Sequence, residues 1–314
     1  MTDQLLTTDR PAAAEPPPAT ETEAVLTSPA ERRRARRAIS RPVRSGIKHV
    51  VLILAAFAML YPVLWMIVSS FRPTDEVFRQ PGLELSGATL DNYVNGWTAY
   101  AEPFGFYMVN SLIVVFGAIL GNLVACSMAA YAFARLEFRG KRWWFAIMLV
   151  TIMLPIHVII VPQYVLFSQL GWVNTFLPLI VPKVLATDAF FIFLMVQFIR
   201  GIPRELDEAA RIDGAGHPRI FLQIILPLMV PALATTAIFT FIWTWSDFFT
   251  QLIYLTDTDL YTVPLALRAF VDQQTSTDWG SVFAMSVVSL VPVFLIFLVG
   301  QRFLLRGIAT TGIK

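Results

Sequence analysis

Along this chain, long runs without a single formally charged side chain alternate with short segments in which the charges are concentrated. Residues 49–71, 103–134, 143–182, 220–246 and 279–301 contain no Asp, Glu, Lys or Arg. A helix needs about 20 apolar residues to cross roughly 30 Å of hydrocarbon, so every one of these runs is long enough to span. The run 143–182 is long enough to cross, turn and start back, and its polar, Gly-containing stretch 168–174 is the natural turn. Its second half continues through Lys183 and Asp188 to Ile199. The pattern predicts an all-α polytopic membrane protein with six transmembrane helices, at residues 49–71, 108–134, 143–166, 176–199, 227–254 and 282–303.

Composition agrees: 56% hydrophobic residues, 15% charged residues and a mean hydropathy of +0.63 exclude an ordinary soluble domain. Charge then orients the helices, because loops rich in Lys and Arg stay on the cytoplasmic side. The segments on one side (the N-terminus, 135–142, 200–226 and the C-terminal tail) hold 20 of the 24 Lys and Arg, and the other side holds three. Both termini and loop 200–226 are therefore expected to be cytoplasmic. Residues 1–47 form a basic extension expected to be disordered, with Pro16-Pro17-Pro18 and little apolar content. Its Arg32–Arg37 cluster lies close enough to a span to touch anionic lipid, which leaves nucleic acid an unneeded partner. The first helix, 48–71, exceeds a signal-peptide core and is retained. An outer loop, 72–107, a core, 108–303, and a tail, 304–314, complete the expected organisation. The loop 72–107 and the outer loop 255–281 mix aromatics with acids, which suits either a protein partner outside or an aromatic belt at the headgroups.

Catalytic chemistry is missing. No Gly-x-x-x-x-Gly-Lys-Ser/Thr loop occurs, so the chain is not expected to hydrolyse ATP itself. His49, His157, His217 and the lone Cys126 have no ligand-like spacing, and no metal or other cofactor is expected in this chain. No nucleophile and base pair stands out.

Loop 200–226 carries the most distinctive pattern. Pro203 suits the first turn of a helix expected over 203–213. Glu205, Asp207 and Glu208 lie near its positive end, and Arg211 lies one turn beyond Asp207, in pairing distance. Gly214-Ala215-Gly216 ends it, and Pro218 begins a second helix running through Ile224, Leu226 and Pro227 into the fifth span. Ala209, Ala210 and Gly214 are small enough to let another backbone approach. By physics alone this is equally an ordinary amphipathic loop helix, since Ala is the best helix former.

The order Glu208-Ala209-Ala210, three residues, Gly214, nine residues, Ile224, one residue, Leu226-Pro227 resembles the signature of permease subunits of bacterial ATP-binding-cassette importers. The flanking Arg211-Ile212-Asp213, Ser70-Phe71-Arg72, Asn110-Ser111-Leu112, Ala129–Leu136 and Arg306-Gly307-Ile308 resemble its carbohydrate-uptake, maltose-type branch, over about residues 48–314. The resemblance implies a type I importer permease fold in the bacterial inner membrane. It also implies a second permease subunit, two ATP-binding subunits that carry ATP and Mg, and an extracytoplasmic sugar-binding protein. Loop 200–226 would then be the coupling helix seated in the ATPase. Ser246 before Asp247, Thr250-Gln251 and the C-terminal tail depart from the usual pattern and leave the particular sugar unassigned.

Two groups of residues are candidates for the sugar path. Asp188 falls in mid-span, where a charge is costly unless it faces protein or water; it either meets sugar hydroxyls or bonds a neighbouring helix. Lys183 lies about 140° around an ideal helix from Asp188 and is not its expected partner. Trp243 and Trp245, with Thr240, Thr244 and Asp247, could stack on and orient a sugar ring, or the tryptophans could be interfacial anchors. The rival functions are an importer of glycerol phosphate, amino acids or peptides, a stand-alone secondary carrier, and a membrane receptor that moves nothing.

Overall fold

The structure, a computed structural model, describes residues 29–79, 82–85, 87–271 and 278–309, and every regular element among them is helical. The chain divides into two units, 1–61 and 62–314. The first holds most of helix α1 (Pro29–Ser69), whose stretch Ser45–Ser69 is long and apolar enough to cross a membrane. Helix α1 thus begins at Pro29, inside the extension 1–47. Ala and Arg are good helix formers, and a helix nucleated in the apolar stretch propagates back through them. Residues 1–28 lie outside the described ones.

Beyond α1, the second unit continues with a connection that includes α2 (Asp91–Trp97). Helix α3 (Phe104–Gly121) runs through a π-helical turn, Asn122–Cys126, into α4 (Ser127–Arg135), and the three make one span. Helices α5 (Lys141–Thr151) and α6 (Ile156–Gln169) meet at 102°, so the span expected unbroken over 143–166 is bent. Pro155 lacks an N–H for the ladder and pushes Leu154 out of helical geometry. Helices α7 (Leu177–Val184) and α8 (Ala189–Arg200) form the fourth span around a break.

Beyond α9 (Glu205–Ile212), the segment α10 (His217–Ile220), a π turn Phe221–Ile225 and α11 (Leu226–Leu228) lead to a 73° bend. There α12 (Val230–Trp245) starts with Pro231 in its first turn. Helices α13 (Phe249–Tyr254) and α14 (Val263–Val271) are short, and α15 (Trp279–Ala309) supplies the last span. Counting each bent pair as one gives up to six membrane-crossing elements among the described residues, the number the hydropathy pattern predicts.

In lipid, apolar side chains gain little by leaving the acyl chains, so helices associate through close fit and polar pairs. Helix α12 packs on α3 and α15, α4 on α8, and α3 on α7. The α3–α7 contact is tight at two glycines. A Cβ on Gly121 would sit 2.9 Å from the Val184 backbone nitrogen, and one on Gly117 would sit 2.8 Å from Ile180 Cδ1.

Polar residues of the resembling motifs tie connections to helix ends. Asn110 Nδ2 donates to the carbonyls of Asp259 and Tyr261 at 2.9 and 3.0 Å. Ser111 Oγ accepts from Val263 N–H at 2.8 Å, satisfying a donor that opens α14. On the connection after α1, buried Asn92 donates to Ser70 O and Arg72 O, and buried Arg72 donates to Gly82 O and Glu84 O.

Candidate functional site

Helix α9 is built as the sequence pattern requires. Its first turn holds Glu205, Asp207 and Glu208 and its last turn holds Arg211, both matched to the helix dipole. It ends on Gly214 at φ +78°, with Ala215 N–H donating to Ala210 O at 2.9 Å and Gly214 N–H to Arg211 O at 3.0 Å. That paired cap needs a left-handed residue four places after Ala210, which glycine adopts without strain. Glu205, Glu208, Ala209, Arg211, Asp213 and Gly214 are exposed, whereas Ala210 is buried with Tyr131, Ile199, Ile202 and Ile220. Ala210 is therefore not part of an open docking face; its small size lets α9 lie down on the bundle. Ile224 and Leu226 are half-buried and Pro227 is exposed.

The expected Asp207–Arg211 pairing gives way to another. Asp207 turns inward, where its carboxylate lies 2.9 Å from Arg135 Nε at the end of α4, and the two side chains are 8% and 3% exposed. Arg135 Nη2 also donates to Ile202 O at 2.7 Å. A fully ordered, desolvated partner holds Asp207 better than a solvent-exposed arginine on the same helix could. Tyr131 Oη and His217 Nδ1, 3.2 Å apart, close the other side. A recess of about 340 Å³ lies beside α9, with Arg135, Arg204, Asp207, Glu208, Arg211 and His217 in its walls.

The second candidate region is a cavity of about 670 Å³ between α6, α7 and the end of α12. Lys183, Asp188, Trp243, Thr244 and Asp247 all line it, with Gln163 opposite, and an adjoining recess of about 590 Å³ shares Asp188 and Trp243. Asp188 is not in mid-helix. It stands at the break between α7 and α8, and Lys183 Nζ lies 3.0 Å from both of its carboxylate oxygens. The 140° separation expected of these two residues assumed an unbroken helix. Instead α7 stops at Val184, Ala186 just beyond it takes φ +56° in the same kind of cap that ends α9, and the chain folds Asp188 back onto Lys183.

Asn122, in the π turn, donates to Asp188 Oδ2 at 2.7 Å and to Thr240 Oγ1 at 3.1 Å, so three spans meet at one amide. Asp247 Oδ1 accepts from Thr250 N–H at 3.1 Å and faces the cavity. Two candidates fall elsewhere. Trp245 is buried, stacks on Phe241 with centroids 5.5 Å apart and donates Nε1–H to Ser289 O at 3.2 Å. Thr240 is buried beneath Asn122 and does not line the cavity.

Residues 121–309 match the family model described as binding-protein-dependent transport system inner membrane component. The chain belongs to that family. Among similar proteins, the diacetylchitobiose uptake system permease protein NgcG of Streptomyces coelicolor is 36% identical, over 82% of this chain and 85% of the relative. The trehalose/maltose transport system permease protein MalG of Thermococcus litoralis is 34% identical, over 85% of this chain and 98% of the relative. The arabinooligosaccharides transport system permease protein AraQ of Halalkalibacterium halodurans is 32% identical, over 87% and 98%. In fold, the permease matches a chain of a bacterial ABC transporter involved in the import of the acidic polysaccharide alginate. The TM-score is 0.75 at 22% identity, covering 84% of this chain and 98% of that one. The architecture is thus that of a type I importer permease.

Sequence reasoning missed Asn122 and the Lys183–Asp188 pair in this permease. A signal for Asn122 was present: Gly117-x-x-x-Gly121 immediately precedes it, a spacing that marks close helix contact in membranes. No local signal announces the Lys183–Asp188 pair, because it depends on a break at an alanine.

Proposed function

We propose that this chain is one permease subunit of an ATP-driven, binding-protein-dependent importer of a sugar or oligosaccharide. It pairs with a second permease, two ATP-binding subunits that hold ATP and Mg, and an extracytoplasmic sugar-binding protein. The chain carries no catalytic site of its own. It lies in a bacterial inner membrane with both termini and loop 200–226 cytoplasmic, the orientation that the distribution of Lys and Arg supports.

One observation carries the coupling role. Helix α9 is fixed to α4 by the buried Arg135–Asp207 pair on one side and presents Glu205, Glu208, Ala209, Arg211 and Asp213 on the other. A push on the exposed side reaches a membrane span through an ion pair and packed side chains. Glu208 meets a basic group of the ATPase, and the open space around Gly214, where an added Cβ would meet nothing within 4 Å, admits the partner's backbone. Lys183, Asp188, Trp243, Thr244 and Asp247 form this subunit's wall of the path.

Uptake of labelled sugar and co-purification with the ATPase test this reading. Glu208→Lys and Gly214→Val are each expected to abolish uptake and weaken co-purification while membrane insertion stays normal. Wild-type uptake and ATPase binding in both variants would refute it.

A glycerol phosphate cargo has a precedent in the sn-glycerol-3-phosphate transport system permease protein UgpE of Escherichia coli, 31% identical over 86% of this chain. The cavity favours a neutral sugar. Lys183 is the sole cation among its lining residues and is held by Asp188, while Asp247 adds a second negative charge.

A further inference from the structure

A recess of about 540 Å³ lies apart from both regions above, where α4 ends, α5 begins and α8 ends. Lys141, Arg142 and Arg200 line it, with Glu137 as the one carboxylate. That carboxylate is already engaged: Lys141 Nζ is 3.1 Å from Glu137 Oε1 and also donates to Leu136 O at 2.7 Å. Arg200 lies over the Phe145 ring at 5.2 Å, and neither it nor Arg142 has an acidic partner among the described residues. The recess therefore keeps two guanidinium groups uncompensated.

Its surroundings identify what balances them. The ends of α4, α5 and α8 are ends of the second, third and fourth spans, so the recess sits where those spans enter lipid. Helix α5 buries none of its residues in the bundle, and Trp144, Ile147 and Val150 stand 60%, 53% and 59% exposed along one side of it. A basic, headgroup-sized recess thus continues into a bare apolar helix face.

We propose that this recess binds the phosphate headgroup of an anionic glycerophospholipid, with its acyl chains laid along α5. Two guanidinium groups match phosphate oxygens, and basic recesses between spans on the cytoplasmic side suit such headgroups. A zwitterionic lipid fits worse, because Glu137 is committed to Lys141 and cannot receive an ammonium group. The proposal does not depend on which solute is carried.

The test uses the assembled transporter in vesicles of phosphatidylcholine mixed with phosphatidylglycerol, labelled with photoactivatable phosphatidylglycerol and mapped by peptide. Labelling is expected within 137–150, and phosphatidylglycerol but not phosphatidylcholine should compete it away. Arg142→Gln and Arg200→Gln are each expected to lower it about fivefold, while the Lys versions, which keep the charge but not the planar fork, lower it less. If the Gln variants fail to assemble, raising the salt on the wild-type complex takes their place, and only the anionic probe's labelling should fall. Equal labelling by a phosphatidylcholine probe, no labelling because a partner subunit covers the recess, or indifference to both substitution and salt overturns the proposal. So does equal competition by soluble glycerol phosphate, which would assign the recess to a free phosphate instead.

Discussion

Arg135 and Asp207 show how one residue pair fixes a loop helix to the end of a span. Both are almost fully buried, so each depends on the other for its charge balance. Removing one partner of such a pair costs about 3–5 kcal/mol, because the remaining charge stays buried without compensation. Arg135→Ala is therefore expected to loosen residues 203–216 from the end of α4, read as faster hydrogen exchange in that loop and a lower melting temperature of the complex. Asp207→Asn should act in the same direction and by less, since an amide leaves the arginine a hydrogen-bond acceptor. The acidic start of α9, its Gly214 cap and the Glu208-Ala209-Ala210 pattern were legible in the sequence, because each is a local matter of helix ends and spacing. The turning of Asp207 toward Arg135 rather than Arg211 was not, because it depends on a residue 72 positions away.

At the scale of elements, hydropathy marked the long apolar stretches but not the breaks inside them. The bends ahead of α6 and α12 follow Pro155 and Pro231, which are visible in the sequence, yet whether proline bends a helix or merely starts one depends on what packs beside it. Helix contact has the same character. Gly117 and Gly121 both bring α3 against α7, but they meet different neighbours. A Cβ at position 117 presses on the side chain of Ile180, and one at 121 presses on the backbone of Lys183 and Val184, which cannot rotate aside. Gly121→Ala is thus expected to destabilise the assembled complex by about 1–3 kcal/mol and to impair uptake, with Gly117→Ala clearly milder. Thermal melts of the two variants side by side check the order. The loss at Gly121 should also disturb the amide of Asn122, which the close approach places beside Asp188.

At the scale of the second unit as a whole, the connection after α1 is tied to the head of α15. Asp278, just ahead of α15, accepts hydrogen bonds from Ser281 Oγ at 2.5 Å and from the hydroxyl of Thr74, in the connection after α1. Burial pushes its carboxyl up, but the hydrogen bonds from Ser281 and Thr74, aided by backbone N–H groups, outweigh burial and hold it below its ordinary value of 3.8. Because the folded value is depressed, this contribution to stability is present above the ordinary value and is lost as pH falls through the folded one. Acidification from neutral pH to well below the ordinary carboxyl value is expected to release residues 70–79 from the head of α15, and Asp278→Asn should remove that pH dependence, both read by hydrogen exchange. The sequence by itself determined an all-helical membrane chain and the family signature in loop 200–226. Those properties follow from composition, period and local spacing. Only the tertiary structure decided that Asp188 pairs with Lys183, that Thr240 and Trp245 lie away from the cavity that Asp188 lines, and that Arg135 anchors α9. Each of these depends on which distant backbone comes close enough to satisfy a charge or hydrogen-bonding group removed from water, and no local pattern records that proximity.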